Sequence, residues 1–203
     1  MSNSSSLPSV GAISRRRFLQ NAGMAMAAGV VFPSLIPSRV LGRDGGVAPS
    51  NRIALGVVGL QQGWDGFRRC IEHREVQGVA ICDVDGGRVD KRLKELAKVP
   101  NAQGVKSYVD FREMFASAKL DAVVLGAPDH WHGIMAVQAA RAGLDIYGEK
   151  PLAHTIAEGR AIANAVRQHG RIWQTGSWQR SKGNFRRAVE LVRNGRIGKV
   201  VRV

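Results

Sequence analysis

Short apolar runs and helix-patterned stretches alternate along the chain from Arg52 onward. Ile53–Val58 is a continuous apolar run closed by Gly59, the pattern of a strand buried on both faces. Asp65–Glu72 reads as a short helix and Val76–Cys82 as a second strand ending at Asp83. Arg88–Lys98 places Val89, Leu93, Leu96 and Ala97 on one helical face. Ser107–Val109 is a weak third strand, followed by a helix over Phe111–Ala118. Ala122–Leu125 is a fourth strand closed by Gly126-Ala127-Pro128, and the alanine-rich helix His130–Ala142 stops at Gly143. Asp145–Tyr147 is the fifth strand, with Glu149-Lys150-Pro151 just beyond it. Ile156–Gln168 is a helix before Gly170, and Ile172–Gln174 a sixth strand. Five or six strands with intervening helices predict an α/β fold with a parallel, doubly wound sheet. Ligands of such sheets bind outside the carboxyl ends of the strands, so the residues just past each strand carry the chemistry.

The net charge of +14 over 203 residues suggests nucleic acid until it is divided. Residues 1–48 carry +4, residues 49–159 balance fourteen charges of each sign, and residues 160–203 carry +10 with Glu190 as their only acid. The central stretch is therefore neutral. A nucleic-acid binder concentrates its charge as a patch on a folded face, so no such partner is expected. Cys70 and Cys82 lack metal-ligand spacing and form no disulfide framework. No metal site is expected.

The amino-terminal charge has its own pattern. Ser14-Arg15-Arg16-Arg17-Phe18-Leu19-Gln20 follows a polar start and precedes an apolar stretch from Ala22 to Ile36. Charged, then apolar, then polar is the layout of a bacterial export signal, and the arginine pair marks the twin-arginine route. Gln20 departs from the lysine that closes the twin-arginine pattern. The apolar stretch, interrupted by Pro33, is shorter than the about 20 residues that a membrane span needs. Residues 1–48 are thus expected to be signal and linker, read by the twin-arginine machinery, with a periplasmic destination. Cleavage and retention as an anchor both stay open.

The first strand ends in Gly59-Leu60-Gln61-Gln62-Gly63. A dinucleotide site needs glycine here, for the turn and for close approach of backbone N–H groups to the pyrophosphate. Gly59 and Gly63 fit that need, but Gln61 stands at the usual middle glycine and the loop is one residue short. An ordinary strand–helix turn fits the two glycines equally well. Asp83 lies twenty residues after Gly63, where a carboxylate accepts hydrogen bonds from the adenosine ribose or simply caps the following turn. Its charge would repel a 2′-phosphate, which favours NAD over NADP. Arg88 either packs over the adenine or contacts a 2′-phosphate, so NADP stays open.

Three strand ends complete the pattern: Ala127-Pro128-Asp129-His130-Trp131-His132, Glu149-Lys150-Pro151 and Gln174-Thr175-Gly176-Ser177. With Asp83 they resemble the glucose–fructose oxidoreductase and inositol dehydrogenase family, Gfo/Idh/MocA, over residues 52–203. The resemblance implies a Rossmann-type NAD(P)-binding domain over residues 49–178. It also implies that Pro128, Asp129 and His132 border the cofactor crevice, with Glu149 and Lys150 beside them. Lys150 is implied to contact the nicotinamide ribose and a substrate hydroxyl and to assist hydride transfer, the one catalytic residue expected in this chain. Residue by residue, His130 and His132 are two apart and make a poor metal pair, because helical ligands favour spacings of three or four. His132 reads as fixing its loop, and Trp131 either lines the pocket or packs.

Residues 179–203 read as the start of a second, sheet-forming substrate domain. Phe185–Arg193 is a helix leading out, and Lys199–Val203 is that sheet's first strand. The expectation is the front half of an exported NAD(P)-dependent oxidoreductase acting on a sugar, cyclitol or sugar derivative. The main acid–base group and the specificity residues would lie beyond Val203, and the full-length protein would be a homo-oligomer. Alone, the fragment would be inactive and would self-associate through its unpaired strand. Two alternatives remain: a redox glycosidase that retains NAD and oxidises its sugar only transiently, as some exported family members do, and a non-catalytic nucleotide- or sugar-binding protein.

Overall fold

The computed structural model describes residues 47–202, so the arginine pair and the apolar stretch of the export segment lie outside the described residues. Among the described residues six strands alternate with six α-helices: β1 (Ile53–Val58), α1 (Gln62–Cys70), β2 (Val76–Cys82), α2 (Gly86–Leu96), β3 (Lys106–Tyr108), α3 (Phe111–Ser117), β4 (Ala122–Leu125), α4 (Asp129–Arg141), β5 (Asp145–Glu149), α5 (Ile156–Gln168), β6 (Trp173–Gly176) and α6 (Gly183–Arg193). The strands form one sheet in the order β3-β2-β1-β4-β5-β6, and each neighbouring pair is parallel. This is a doubly wound Rossmann-type sheet. Strand order reverses between β1 and β4, which leaves a crevice at their carboxyl ends.

The central strands are apolar throughout because both faces of the sheet are covered. Along β1, Leu55 and Val57 turn to one face, where they join Trp64, Phe67 and Ile71 of the α1 segment and Val89 and Leu96 of α2. Val58 turns to the other, with Phe111 and Met114 of α3 and Met135, Ala136, Ala139 and Ala140 of α4. The small alanines explain why α4 and α5 sit close together, with Ile162 and Ala165 of α5 in the same cluster. The start of α5 is set by a capping box, in which Thr155 Oγ1 accepts from the Glu158 amide and the Glu158 carboxylate accepts from the Thr155 amide.

Register places the functional edge. Val58 pairs with Cys82 on one side and Leu125 on the other, so the next residues, Gly59, Asp83 and Gly126, emerge side by side. Leu125 pairs with Gly148, which brings Glu149 and Lys150 to the same edge. At Gly148 an added Cβ would collide with the Trp173 indole, so glycine is what allows β6 to lay its tryptophan across β5.

Two boundaries differ from the sequence pattern. Helix α1 begins at Gln62 rather than Asp65, because Gly63 is buried against the β4 end instead of lying in an open loop. The strand expected over Lys199–Val203 is absent at 199–202, where the backbone has no hydrogen-bonded neighbour strand among the described residues, and Val203 lies outside them. Residues 177–202, including α6, are exposed throughout.

Candidate functional site

A cleft of about 680 Å³ opens at the β1/β4 reversal. Gly59 forms its floor with a φ of +87°, a conformation side chains resist, and a Cβ there would sit 2.5 Å from the Gly126 backbone. Gly126 is equally constrained, since a Cβ on it would strike the Gly63 amide. Gly59, Gly63 and Gly126 therefore let three chain segments meet backbone to backbone. Gln61 is tolerated where a middle glycine is usual because its φ is −97°, so the turn has one left-handed residue and needs one glycine for it. Gln61 caps α1 without a side-chain cap bond, and both Gln61 and Gln62 line the cleft. Gly63 does not line it: its role is close packing of helix against strand end.

Asp83 is buried yet borders the cleft. Its Oδ2 accepts from the Leu60 amide at 2.8 Å and its Oδ1 from the Asp85 amide at 3.0 Å. Each oxygen keeps a second lone pair, so the carboxylate can hold the glycine turn and still accept from a ribose hydroxyl. Arg88 is loosely placed, with Nη1 3.9 Å from Asp83 Oδ2 and Nε 3.2 Å from Asp85 Oδ2, and its half-exposed guanidinium lines the same end of the cleft. Asp85 caps α2 through the Arg88 amide. Arg92, which sequence reasoning missed, stacks 4.5 Å over the Trp64 ring and donates to the Leu60 carbonyl at 3.4 Å. Both polar groups of Leu60 are thus held by side chains from the β2–α2 unit.

On the opposite wall, Pro128 and Asp129 border the cleft at the start of α4, and Lys150 reaches it from the end of β5. His132 and Glu149, expected at the cofactor, are turned away from it. His132 is 3% exposed, with Nδ1 2.7 Å from the Pro151 carbonyl and Nε2 2.7 Å from the Ala127 carbonyl, which fixes its loop. Glu149 is the last residue of β5, where pleat alternation sends its side chain toward Gly176 of β6 while Lys150 faces the cleft. Its Oε2 accepts from the Lys150 amide at 3.3 Å.

Most of the remaining lining was not legible from motifs. Val84, Val109, Phe111 and Arg112 form part of it, and Trp131 packs edge-on against Phe111 while also facing the cleft. Their signal was positional: each follows or faces a strand end. Cys82 borders the cleft, but burial first, then the carboxylates of Asp110, Asp83 and Glu113, push its thiol up to about 12, so it stays protonated and unreactive. Burial, followed by the Glu149 charge, also raises the Tyr147 hydroxyl.

The cleft thus brings together a glycine turn, a helix start, a carboxylate and a lysine at the carboxyl edge of the sheet, where ligands of such sheets bind. Residues 53–177 match the model of the Gfo/Idh/MocA group, described as an oxidoreductase family with an NAD-binding Rossmann fold. The chain is 32% identical to an α-N-acetylgalactosaminidase of Tannerella forsythia over 66% of its own length and 31% of that protein. It is 29% identical to a glycosyl hydrolase family 109 protein of Parabacteroides distasonis over 92% of its length and 43% of that protein. Scyllo-inositol dehydrogenase of Lactobacillus casei, solved with NAD(H) and scyllo-inositol, superposes with a TM-score of 0.61 at 28% identity, over 73% of this chain and 43% of that one. The chain spans less than half the length of these relatives.

Proposed function

Because the chain belongs to the Gfo/Idh/MocA oxidoreductase family, we propose that residues 49–178 are the nucleotide-binding domain of an NAD-dependent enzyme that oxidises a carbinol carbon of a sugar, cyclitol or sugar derivative. The observation that carries this reading is the meeting of Gly59, Asp83 and Lys150 around one cleft at the topological switch point. The residues fit the cofactor: Gly59, which lines the cleft, carries no side chain that would keep a ligand off the backbone of the turn, and Asp83 presents free lone pairs at the same cleft. When bound, NAD supplies the hydride acceptor. Gln62, which lines the cleft in the first turn of α1, offers its N–H to a pyrophosphate. Lys150 places an ammonium where it attracts a substrate hydroxyl oxygen and favours loss of that hydroxyl's proton.

The Asp83 carboxylate favours NAD, while Arg88 keeps NADP within reach. The protein is proposed to be exported by the twin-arginine machinery to the periplasm, on the strength of Arg15-Arg16 and the apolar stretch behind them. Replacing both arginines by lysine in a reporter fusion should hold the reporter in the cytoplasm, and unchanged export would remove this part of the proposal. In the full-length protein we expect a homo-oligomer and no nucleic-acid partner.

The glycosidase relatives support a second reading, a redox glycosidase that regenerates its own NAD. The full-length protein incubated with NAD and a panel of polyols and aryl glycosides separates the two. Net NADH from a polyol supports the dehydrogenase, and phenol release without net NADH supports the glycosidase. A protein that binds NAD and does neither is the binding protein.

A further inference from the structure

His132 spans two loops that the sequence keeps apart. Its Nε2 faces the Ala127 carbonyl on the cofactor side, and its Nδ1 faces the carbonyl of Pro151, the residue after Lys150, each at 2.7 Å. Both partners are carbonyl oxygens, which only accept, and the ring is buried at 3% exposure. A neutral imidazole offers one donor, so it satisfies one of these contacts and sets a lone pair against the other. Glu158 packs against the adjacent Gly133, but its Oε2 is engaged by the His154 and Thr155 amides. Asp129, on the same helix, is exposed at the cleft. Lys150 is bracketed as a result: Glu149 Oε2 accepts from its amide, and His132 holds the carbonyl of the next residue.

We propose that His132 is a positioning residue whose buried ring bridges the Ala127 and Pro151 carbonyls, tying the β4 loop to the β5 loop and so setting Lys150 against the cofactor-binding wall. The effect on Lys150 rests on the NAD reading, but the two-sided tie does not.

The test begins with ¹⁵N-histidine spectra of the parent protein at pH 7, with His132 assigned by its loss in a His132→Gln variant. A ring N–H protected from exchange with water is expected, and a ring whose protons exchange as freely as in an exposed histidine overturns the tie. Two variants then separate its arms, because an asparagine amide nitrogen overlays Nδ1 and a glutamine amide nitrogen overlays Nε2. With lysines carrying ¹³C-methyl labels, NAD should shift the Lys150 signal in the parent and in His132→Asn, which keeps the Pro151 arm. In His132→Gln, which keeps only the Ala127 arm, that shift should be lost while calorimetry still detects NAD binding. Equal responses in the two variants would reduce His132 to packing. If calorimetry finds no NAD binding to the parent, the cofactor reading fails, and the nitrogen spectra still decide the tie.

Discussion

Asp83 Oδ2 accepts from the Leu60 amide at 2.8 Å, so the acid that ends β2 also holds the glycine turn that ends β1. One carboxylate thereby links the shape of the turn after β1 to the end of the cleft that Asp83 borders. Asp83→Ala should lose the Leu60 tie, at about 1 kcal/mol of stability. It should also weaken NAD by roughly 1–3 kcal/mol, as a charge-assisted hydrogen bond is lost. Asp83→Asn keeps an acceptor for Leu60 and should recover stability more than affinity. Urea denaturation and calorimetry read the two separately, and an Asp83→Ala protein with parental NAD affinity would remove Asp83 from the site.

Gly126 is the tightest of the backbone contacts. Gly126→Ala forces its methyl into the Gly63 amide, so either β4 or the start of α1 has to move. The expected loss is about 1–3 kcal/mol, the usual cost of overpacking, with weaker NAD binding because the same shift distorts the turn. Parental stability by urea denaturation would show that the two segments are not held in close contact.

Much of this was legible beforehand. The parallel, doubly wound sheet follows from the alternation of apolar runs with helical faces, and Gly59, Asp83, Pro128, Asp129 and Lys150 all follow strand ends, where ligands of such sheets bind. What sequence spacing could not supply was direction. Glu149 and Lys150 are neighbours, yet the pleat sends one to β6 and the other to the cleft. Gly63 reads as loop and is helix, because its burial against Gly126 depends on a strand about sixty residues away, which no local pattern encodes. Arg92 is one more charge on a helix until the fold brings it over Trp64.

Cys82 should resist thiol reagents in the folded protein at pH 8 and react once the protein is denatured. Its thiol is raised from an ordinary 9.0 to about 12 by burial and nearby carboxylates. Between those values the unfolded chain releases a proton that the folded chain retains, so stability should fall as pH rises from about 9 toward 12. Below pH 9 this contribution is fully present. Cys82→Ala should flatten that part of the alkaline stability profile, and an unchanged slope by urea denaturation would show that the thiol does not contribute.

Lys150 is exposed at the end of β5, so its loss should be felt in chemistry rather than folding. In the full-length protein, Lys150→Ala should lower turnover by roughly 10²–10⁴-fold, the range for a positioned proton-transfer group. The melting temperature should hardly change. Normal turnover on an identified substrate would make this lysine a surface charge.

The most direct measurement is a titration of the ¹⁵N-labelled protein with NAD, followed by amide NMR. Saturable shifts are expected at Gly59 to Gln62, Asp83, Asp129 and Lys150, the backbone around the cleft at the β1/β4 reversal. Absence of saturable shifts, or shifts confined to residues away from that cleft, would contradict the assignment of this chain as an NAD-binding domain.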